Sequence, residues 1–441
     1  MIRLSDHFSL GRLLRFTFPS IVMLIFTSIY GVVDGFFVSN FVGKTPFAAV
    51  NFIMPFLMIL GCVGFLFGTG GGALIAKTTG EGKHGRANEL FSMLIYVSIG
   101  CGLALAAVGL LFVRPIAQFL GAQGQLLEDS VTYGRVILLA IPAYVLQYEF
   151  QCLFATAEKP KLGLYVTVAA GLTNMALDAL FVAVFSWGLV GAAAATALSQ
   201  CVGGILPLIY FARPNTSLLR LGKPIWHLRS LFQACANGSS ELMSNISMSL
   251  VSMLYNWQLL RYASEDGVAA YGVLMYVSLV FQAAFLGYSV GTAPVISYHY
   301  GAANHRELRG LLRKSWNIIG CFALAMFLAA ELLARPLSMF FVSYDSQLLS
   351  VTLRGFAIYS FSFLFSGFAI FASSFFTALN NGLVSALISF LRTLVFQVLA
   401  VLTFPLIWRL DGIWLSMVLA EVMAVGVSVV FWVTMQKKYH Y

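Results

Sequence analysis

Acidic side chains inside long apolar stretches are the residues of this 441-residue sequence most able to do chemistry. If such a stretch crosses a membrane, a carboxylate near its middle costs about 3 kcal/mol or more. An acid retained at that cost is a functional candidate by default. Six residues qualify, namely Asp34, Glu149, Asp178, Glu241, Glu331 and Glu421.

We expect Asp34 and Asp178 to share one cavity with Asn174 and Thr196. At about 1.5 Å per helical residue, Asp34 lies about 27 Å along the first apolar segment and Asp178 about 24 Å along the fifth. Asn174 precedes Asp178 by one helical turn on the same face, and Thr196 lies at a comparable depth in the sixth segment. Two carboxylates repel each other when both are ionised, so with an amide and a hydroxyl they suit a proton or a hard monovalent cation. The alternative is a buried hydrogen-bonded network that only packs helices.

Glu149 and Glu241 are candidates for relaying protons or for contacting a cationic substrate. Glu149 falls in the inner half of the fourth apolar segment, and Glu241 in the first half of the seventh. The alternative for both is a structural pair with a tyrosine or a glutamine. Aromatic and thioether side chains suit the wall of a path for varied organic cations, through cation–π contact and adaptable apolar surface. The candidates for this wall are Tyr30, Met54, Tyr148 and Phe150.

The composition places these side chains in a membrane protein. Hydrophobic residues make up 60% of the chain and charged residues 10%, and the mean hydropathy is +0.87. Soluble domains carry roughly 25% charged residues, so a soluble domain, a disordered chain and a disulfide scaffold are excluded. A helix needs about 20 apolar residues to cross a bilayer, and the charge-poor runs predict an all-α polytopic protein with twelve transmembrane helices. Their expected bounds are 13–38, 48–76, 89–112, 132–154, 162–185, 189–211, 231–259, 268–298, 310–333, 352–376, 383–407 and 412–435.

The basic residues predict the orientation of these helices. With the N-terminus inside, 18 of the 26 lysines and arginines fall on inner segments. Because cytoplasmic loops retain Lys and Arg, both termini are expected in the cytoplasm, and the net charge of +9 does not indicate nucleic-acid binding. The N-terminal residues lack a small-residue cleavage site, so a removable signal peptide is not expected. The six cysteines are isolated and lack metal-ligand spacing, so none is expected to bind a metal.

The sequence repeats itself at an offset of 221 residues. This shift places Gly70 on Gly291, Gly80 on Gly301 and Arg114-Pro115 on Arg335-Pro336. One offset maintained across several loops indicates two six-helix bundles of common ancestry, and the even number of helices gives both the same orientation. We expect an N-lobe at residues 1–212, a cytoplasmic linker at 213–230 and a C-lobe at 231–441. Parallel repeats of this kind commonly enclose a substrate path that opens alternately to the two sides.

The two halves differ in the residues that could bind a cation. The 221-residue shift places Tyr255, Val395 and Leu399 where the N-lobe has Asp34, Asn174 and Asp178. We therefore expect coupling to a cation in the N-lobe. Glu421 aligns with Gln200, which indicates a polar packing position.

Three short strings carry a resemblance to a known family. They are V-V-D-G-F-F-V at residues 32–38, A-A-V at 48–50 and G-E-G-K at 80–83. Together with the repeat and the twelve predicted helices, these strings make the sequence resemble the multidrug and toxic compound extrusion (MATE) family over essentially its whole length. Within that family, the sequence is most similar to the MepA-like bacterial branch. The resemblance implies the MATE/MOP-type fold, with two six-helix bundles related by pseudo-twofold symmetry. It also implies that the coupling site is formed by Asp34, Asn174, Asp178 and Thr196, and that the first helix bends at Pro19.

The resemblance implies a secondary active transporter that exports amphipathic organic cations by antiport with H+ or Na+ across a bacterial cytoplasmic membrane. The expected partners are small organic cations or drugs and the lipid bilayer, without nucleic acid, and the expected functional unit is a monomer. No cofactor is expected beyond the coupling ion, and no metal beyond Na+ at the coupling site. The sequence has no catalytic triad, metal cluster or nucleotide-binding motif, so neither an enzyme nor an ATP-driven pump is expected.

Two other functions remain open. A flippase for lipid-linked precursors shares the helix arrangement of this superfamily, but it would favour a more basic central cavity than Arg392 and Arg135 provide. An ion channel or an intramembrane enzyme is the alternative from a different class. An enzyme should show converging nucleophile, base or metal ligands.

Overall fold

A computed structural model describes residues 2–441, apart from the side chain of Lys44, and every regular element in this range is a helix. Helices suit a lipid environment because they satisfy their own backbone N–H and C=O groups. Short π-helical segments follow α1, α7 and α13 at Val38–Val42, Ala179–Val184 and Leu391–Val395, and a 3-10 turn lies at Ser360–Ser362. The α-helices are α1 (Leu10–Phe37), α2 (Lys44–Gly61), α3 (Val63–Gly80), α4 (His84–Phe119), α5 (Gly124–Leu139), α6 (Ile141–Thr156), α7 (Pro160–Asp178), α8 (Gly188–Ala212), α9 (Leu228–Gly301), α10 (His305–Val342), α11 (Ser346–Tyr359), α12 (Phe363–Ala378), α13 (Gly382–Phe390), α14 (Phe396–Thr403) and α15 (Pro405–Tyr439).

These helices make twelve apolar crossings, as the sequence predicts. Ten helical stretches are long and apolar enough to cross a membrane, and the pair α5 and α6, bent by 60°, is an eleventh. The twelfth comes from α9, which has 74 residues and is broken at Ser264 by φ 55° and ψ −149°. A crossing takes about 20 residues, so the two parts of α9 each span once. The all-α polytopic fold is confirmed.

Several helices extend beyond the predicted bounds. The fourth predicted segment, 132–154, begins at Gly124 in the structure and includes the bend between α5 and α6. The predicted linker, 213–230, is shorter at its end because α9 already begins at Leu228. Apolar runs alone do not mark these ends, because the additional turns are polar.

At three turns, the backbone dihedral angle φ is positive in both halves of the repeat. Left-handed φ values recur 221 residues apart at Gly43 and Ser264 (128° and 55°), Gly82 and Ala303 (80° and 54°), and Gly188 and Arg409 (65° and 52°). A residue other than glycine pays about 1–2 kcal/mol for this conformation. The second half of the chain therefore keeps the turns of the first half at an energetic cost.

Helices α3 and α9 meet backbone to backbone where the two halves of the bundle contact each other. A Cβ atom at Gly70 would overlap the carbonyl oxygen of Ala234, and one at Gly80 would overlap that of Tyr298. Gly301 is equally close to Lys77 on the other side. Glycine at these positions allows the helices to approach without any side chain between them.

Helix α1 packs on both halves of the bundle. Near its middle, Ser20 and Ile21 lie against Gly287 of α9, and in its second half Phe26 and Tyr30 lie against Gly171 of α7. The helix is continuous from Leu10 to Phe37 with Pro19 inside it. Proline lacks the N–H that would bond the fourth preceding carbonyl. Pro19 therefore does not break helix α1 in this structure. The bend that is expected at Pro19 stays a prediction.

Candidate functional site

The structure brings Asp34, Asn174 and Thr196 together from three helices. Thr196 on α8 donates from Oγ1 to Asp34 Oδ1 on α1 across 3.4 Å. Asn174 on α7 donates from Nδ2 to Thr196 Oγ1 across 3.5 Å. The carboxylate and the amide are therefore bridged by one hydroxyl group, as expected from their depths along the helices.

Asp178 completes this group, which we call the N-lobe acid site (Asp34, Asn174, Asp178 and Thr196). It is 0% exposed, and it lies close enough to Asp34 for the two carboxyl groups to interact. Both Asp178 oxygens and Asn174 Oδ1 lack a hydrogen-bond donor among the residues that the structure describes. A hydrogen bond between two carboxyl groups requires that one of them carries a proton. A site with surplus acceptor oxygens is chemically suited to a proton or a small hard cation.

Both acids lie next to an irregular helical turn. Asp34 precedes the π-helical segment Val38–Val42 by four residues, and Asp178 directly precedes the segment Ala179–Val184. Such π-helical turns are rare and often occur at functional sites, because they shift side chains out of the regular helical register. The backbone around the acid site is thus specialised on both helices.

Two residues of the site were not anticipated from the sequence. Tyr133 on α5 is fully buried, lies beside Thr196 and close to both acids, and donates from its hydroxyl to Met54 Sδ across 3.7 Å. Gln147 on α6 contacts the hydroxyl of Tyr30, which itself lies close to Asp34. Neither residue carries a sequence signal, because tyrosine and glutamine in apolar helices are common packing residues.

Glu149 lies apart from the N-lobe acid site. Its side chain is 0% exposed, and its neighbour on α4 is Ser98. Neither carboxylate oxygen has a hydrogen-bond partner among residues 2–441. The tyrosine or glutamine partner considered for this acid is therefore not present in this conformation.

Glu241 lines a pocket between the two halves of the bundle. The pocket also contains Thr69 and Cys152 from the first half and Ser374 and Thr377 from the second. The Glu241 side chain is half-buried, and its closest positive charge is Arg392. Glu241 is thus positioned to meet a molecule in the space between the halves.

The four candidate wall residues have different surroundings. Tyr30 contacts Gln147 and lies close to Asp34 of the N-lobe acid site. Met54 accepts a hydrogen bond from Tyr133, which lies beside Thr196 of that site. Tyr148 bonds to the hydroxyl of Tyr144 at 2.8 Å and stacks on Phe65 at 4.3 Å between ring centroids. Phe150 is 1% exposed and stacks on Phe211 at 5.5 Å, so it packs the core instead of facing a path.

The second half of the chain contains a buried ion pair where the sequence suggested only polar packing. Arg392 donates from Nε and Nη2 to the two carboxylate oxygens of Glu421 at 2.9 and 3.0 Å. The side chains are 13% and 6% exposed. The reading of Glu421 as a polar packing position was incomplete, because sequence alignment with Gln200 does not reveal a partner on another helix. Within the described chain, no group of three His, Cys, Asp or Glu side chains is placed to hold a metal ion.

Comparisons with known proteins agree with this architecture. The MatE family model matches residues 19–180 and 242–402. The multidrug export protein MepA of Staphylococcus haemolyticus (strain JCSC1435) is 24% identical over 363 residues, which cover 80% of each chain. A crystal structure of MATE in complex with MaL6 superposes with a TM-score of 0.93 at 20% identity, over 98% of both chains. The outward-facing conformation of a multidrug resistance MATE family transporter of the MOP superfamily also gives 0.93 at 20% identity, over 98% of this chain and 97% of that one.

Proposed function

This chain belongs to the MatE family, and we propose that it is a secondary active multidrug efflux transporter that exchanges amphipathic organic cations for H+ or Na+. The proposal is supported by the family, by relatives named as multidrug export proteins and by the all-helical fold with its long apolar helices. The observation that carries it is the N-lobe acid site, where Asp34 and Asp178 lie together without a basic partner among the described residues.

The acid site would act by changing its charge. With both carboxylates ionised, repulsion between Asp34 and Asp178 favours uptake of a proton or Na+. Uptake drives transport only if the ion binds one orientation of the two lobes more tightly than the other. Helix α1 carries Asp34 and also packs on Gly287 of α9. A small shift of α1 would therefore change its contacts with both lobes.

Glu241 and Glu149 have separate roles in this proposal. Glu241, in the pocket between the lobes, would attract the positive charge of the exported compound. Glu149 is enclosed within the N-lobe and would relay protons between the inner side and the acid site, past its neighbour Ser98 on α4. The tyrosines near the site, Tyr30 and Tyr148, would offer ring faces to an organic cation.

The flippase alternative gains no support from Arg392. The guanidinium of this residue is already engaged by both oxygens of Glu421. An arginine free of a carboxylate partner can bind a phosphate with two parallel hydrogen bonds, and Arg392 is not free in this way. The cation exporter is therefore the function we propose.

Gradient-driven efflux from liposomes tests this function. The full-length protein is reconstituted into vesicles loaded with ethidium, first under an imposed proton gradient and then under a sodium gradient. We expect ethidium release to accelerate with one of the two gradients and to stop when that gradient is dissipated. Release that is equal with and without either gradient would overturn the proposal of an antiporter.

A further inference from the structure

A second pocket, with a cavity volume of about 180 Å³, lies between α3, α4 and the start of α9. Lys77 at its rim lies over the ring of Tyr300 at 5.4 Å, and Tyr300 contacts Tyr439 near the C-terminus. The pocket is therefore at the end of the bundle where the chain ends, level with the polar ends of the helices. Its charged and polar lining includes Lys77, Glu81, Lys83, Arg86, Ser230 and Gln233.

Positive charge dominates this pocket. Lys77, Lys83 and Arg86 face a single acid, Glu81, and that acid bonds to Lys83 Nζ at 3.0 Å. Neither Lys77 nor Arg86 forms an ion pair within the described part of the chain. The pocket also adjoins the N-terminus of α4, a long helix with the positive end of its dipole at this position.

A hydroxyl group that lines the pocket forms no hydrogen bond within the protein. Ser230 is 7% exposed, it lines the pocket, and its hydroxyl forms no hydrogen bond among residues 2–441. Because Ser230 lines the pocket, its hydroxyl is free to bond to water or to a ligand there. A hydroxyl donor next to two unpaired cations fits an acceptor-rich anion.

The repeat shows what occupies the equivalent position in the other half of the chain. The 221-residue shift places Arg86 on Glu307 and Phe8 on Arg229. Glu307 accepts the backbone N–H of Phe8 at 2.9 Å and contacts His7 Nδ1 at 2.6 Å. In that half, the carboxylate of Glu307 contacts polar groups of His7 and Phe8, which lie just before helix α1. In the N-lobe a guanidinium stands at this position, and the carboxylate that contacts the histidine before α9 is Glu89, one turn further along α4 and 3.0 Å from His227 Nε2. Arg86 is thus left without a carboxylate partner among residues 2–441.

We propose that this pocket binds a phosphate-bearing anion, with Arg86 and Lys77 as its charged ligands and Ser230 as a hydrogen-bond donor. The pocket lies at the ends of the helices, where the headgroups of phospholipids are found. Basic pockets between membrane helices bind anionic headgroups. Free phosphate offers the same chemistry. Because Arg86 comes from α4 and Ser230 from α9, the anion bridges the two halves of the bundle.

Native mass spectrometry of the full-length protein tests the site with three probes: phosphatidylglycerol, phosphatidylcholine and inorganic phosphate. We expect phosphatidylglycerol to bind better than phosphatidylcholine, and Arg86→Gln to weaken its binding about fivefold, the effect of one basic residue near an anionic surface. Lys77→Gln should weaken it similarly, which covers the case that one variant folds poorly. Arg313→Gln is the matched control, because Arg313 is exposed in the early turns of α10 and lies outside the pocket.

The outcomes separate the two sources of the anion. Binding of phosphatidylglycerol that depends on Arg86 identifies the lipid headgroup, and binding of inorganic phosphate alone that depends on Arg86 identifies free phosphate. Equal binding of both lipids without phosphate binding, or equal losses in Arg86→Gln and Arg313→Gln, would overturn the site. Asp34→Asn should leave anion binding unchanged, so a failure of the proposed transport function does not affect this test.

Discussion

The hydroxyl of Thr196 on α8 donates to Asp34 on α1, across 3.4 Å. Together with the 3.5 Å contact from Asn174, this bridge ties three helices to one carboxylate. Both distances are longer than the 2.7–3.0 Å usual for strong hydrogen bonds of hydroxyl and amide groups. The hydrogen bonds among Asp34, Asn174 and Thr196 are therefore weak in this structure. In the function that we propose, a bound proton or cation would shorten these distances.

Replacing Asp34 by asparagine should abolish coupled efflux while leaving the protein folded. The amide keeps the size of the side chain but cannot release or take up a proton, so the site no longer changes its charge. The measurement is gradient-driven ethidium efflux from liposomes, at equal protein abundance. The control is Asp129→Asn, since Asp129 is a half-buried acid on α5 that accepts a hydrogen bond from Gln125 and lies outside the acid site. Normal efflux by Asp34→Asn would contradict the assignment of the acid site.

Replacing Thr196 by valine should weaken binding of the coupling ion. The change removes the donor to Asp34 and the acceptor for Asn174 at nearly constant volume, and one hydrogen bond contributes about 1 kcal/mol. We expect half-maximal efflux to require about fivefold more of the coupling ion. Thr196→Ser keeps the hydroxyl and should behave like the original protein. If serine and valine gave the same ion dependence, the hydroxyl bridge would have no part in coupling.

Breaking the buried pair of Arg392 and Glu421 should destabilise the protein. Arg392→Met or Glu421→Gln leaves one buried group without its partner, and such losses cost about 3–5 kcal/mol in folded proteins. The double variant Arg392→Met with Glu421→Leu should recover most of this, because no unpaired group remains. The thermal unfolding midpoint in detergent reports the change.

An exposed ion pair provides the control for that experiment. Arg354 and Asp411 lie 3.0 Å apart with side chains 63% and 43% exposed. Asp411→Asn should shift the unfolding midpoint little, since water already solvates both groups. A double variant at Arg392 and Glu421 no more stable than the single variants would show that the pair is needed for packing as well as for charge balance.

The turn at Ala303 should become more stable with glycine. Ala303 has φ 54°, whereas its counterpart Gly82 has φ 80° and open space where a Cβ atom would lie. Ala303→Gly should therefore stabilise the fold by about 0.5–1 kcal/mol, and Gly82→Ala should destabilise it by about 1 kcal/mol. Opposite shifts of the unfolding midpoint are the expected result. Shifts in the same direction would indicate that side-chain contacts, not backbone conformation, decide these turns.

The fold was largely predictable because membrane helices have a strong signal in apolar runs. All twelve crossings correspond to predicted segments, although α9 runs through Ser264 and joins two of them. The bend between α5 and α6 was missed although Pro142, in the first turn of α6, marks it in the sequence, because the apolar run 132–154 continues through this proline without a break. Helix ends were missed wherever polar turns, such as the one beginning at Gly124, continue the helix.

The acid site was partly predictable for a geometric reason. Depth along a straight helix is nearly proportional to residue number, so the proximity of Asp34 and Thr196 could be deduced from counting. Rotation about the helix axis relative to neighbours cannot be counted in this way. For this reason Tyr133 was missed, and so was the contact of Arg392 with Glu421.

The glycine contacts between α3 and α9 have a consequence for energy conversion. An exchanger that is wet on both sides at once would let protons run down their gradient without carrying any cargo. At Gly70, Gly80 and Gly301 the two backbones touch, so no water molecule fits between α3 and α9 at these three points. Even one methyl group at Gly80 would wedge this seam apart. Small residues there keep the contact between α3 and α9 dry at these points, which is what the proposed exchanger would need at its closed side.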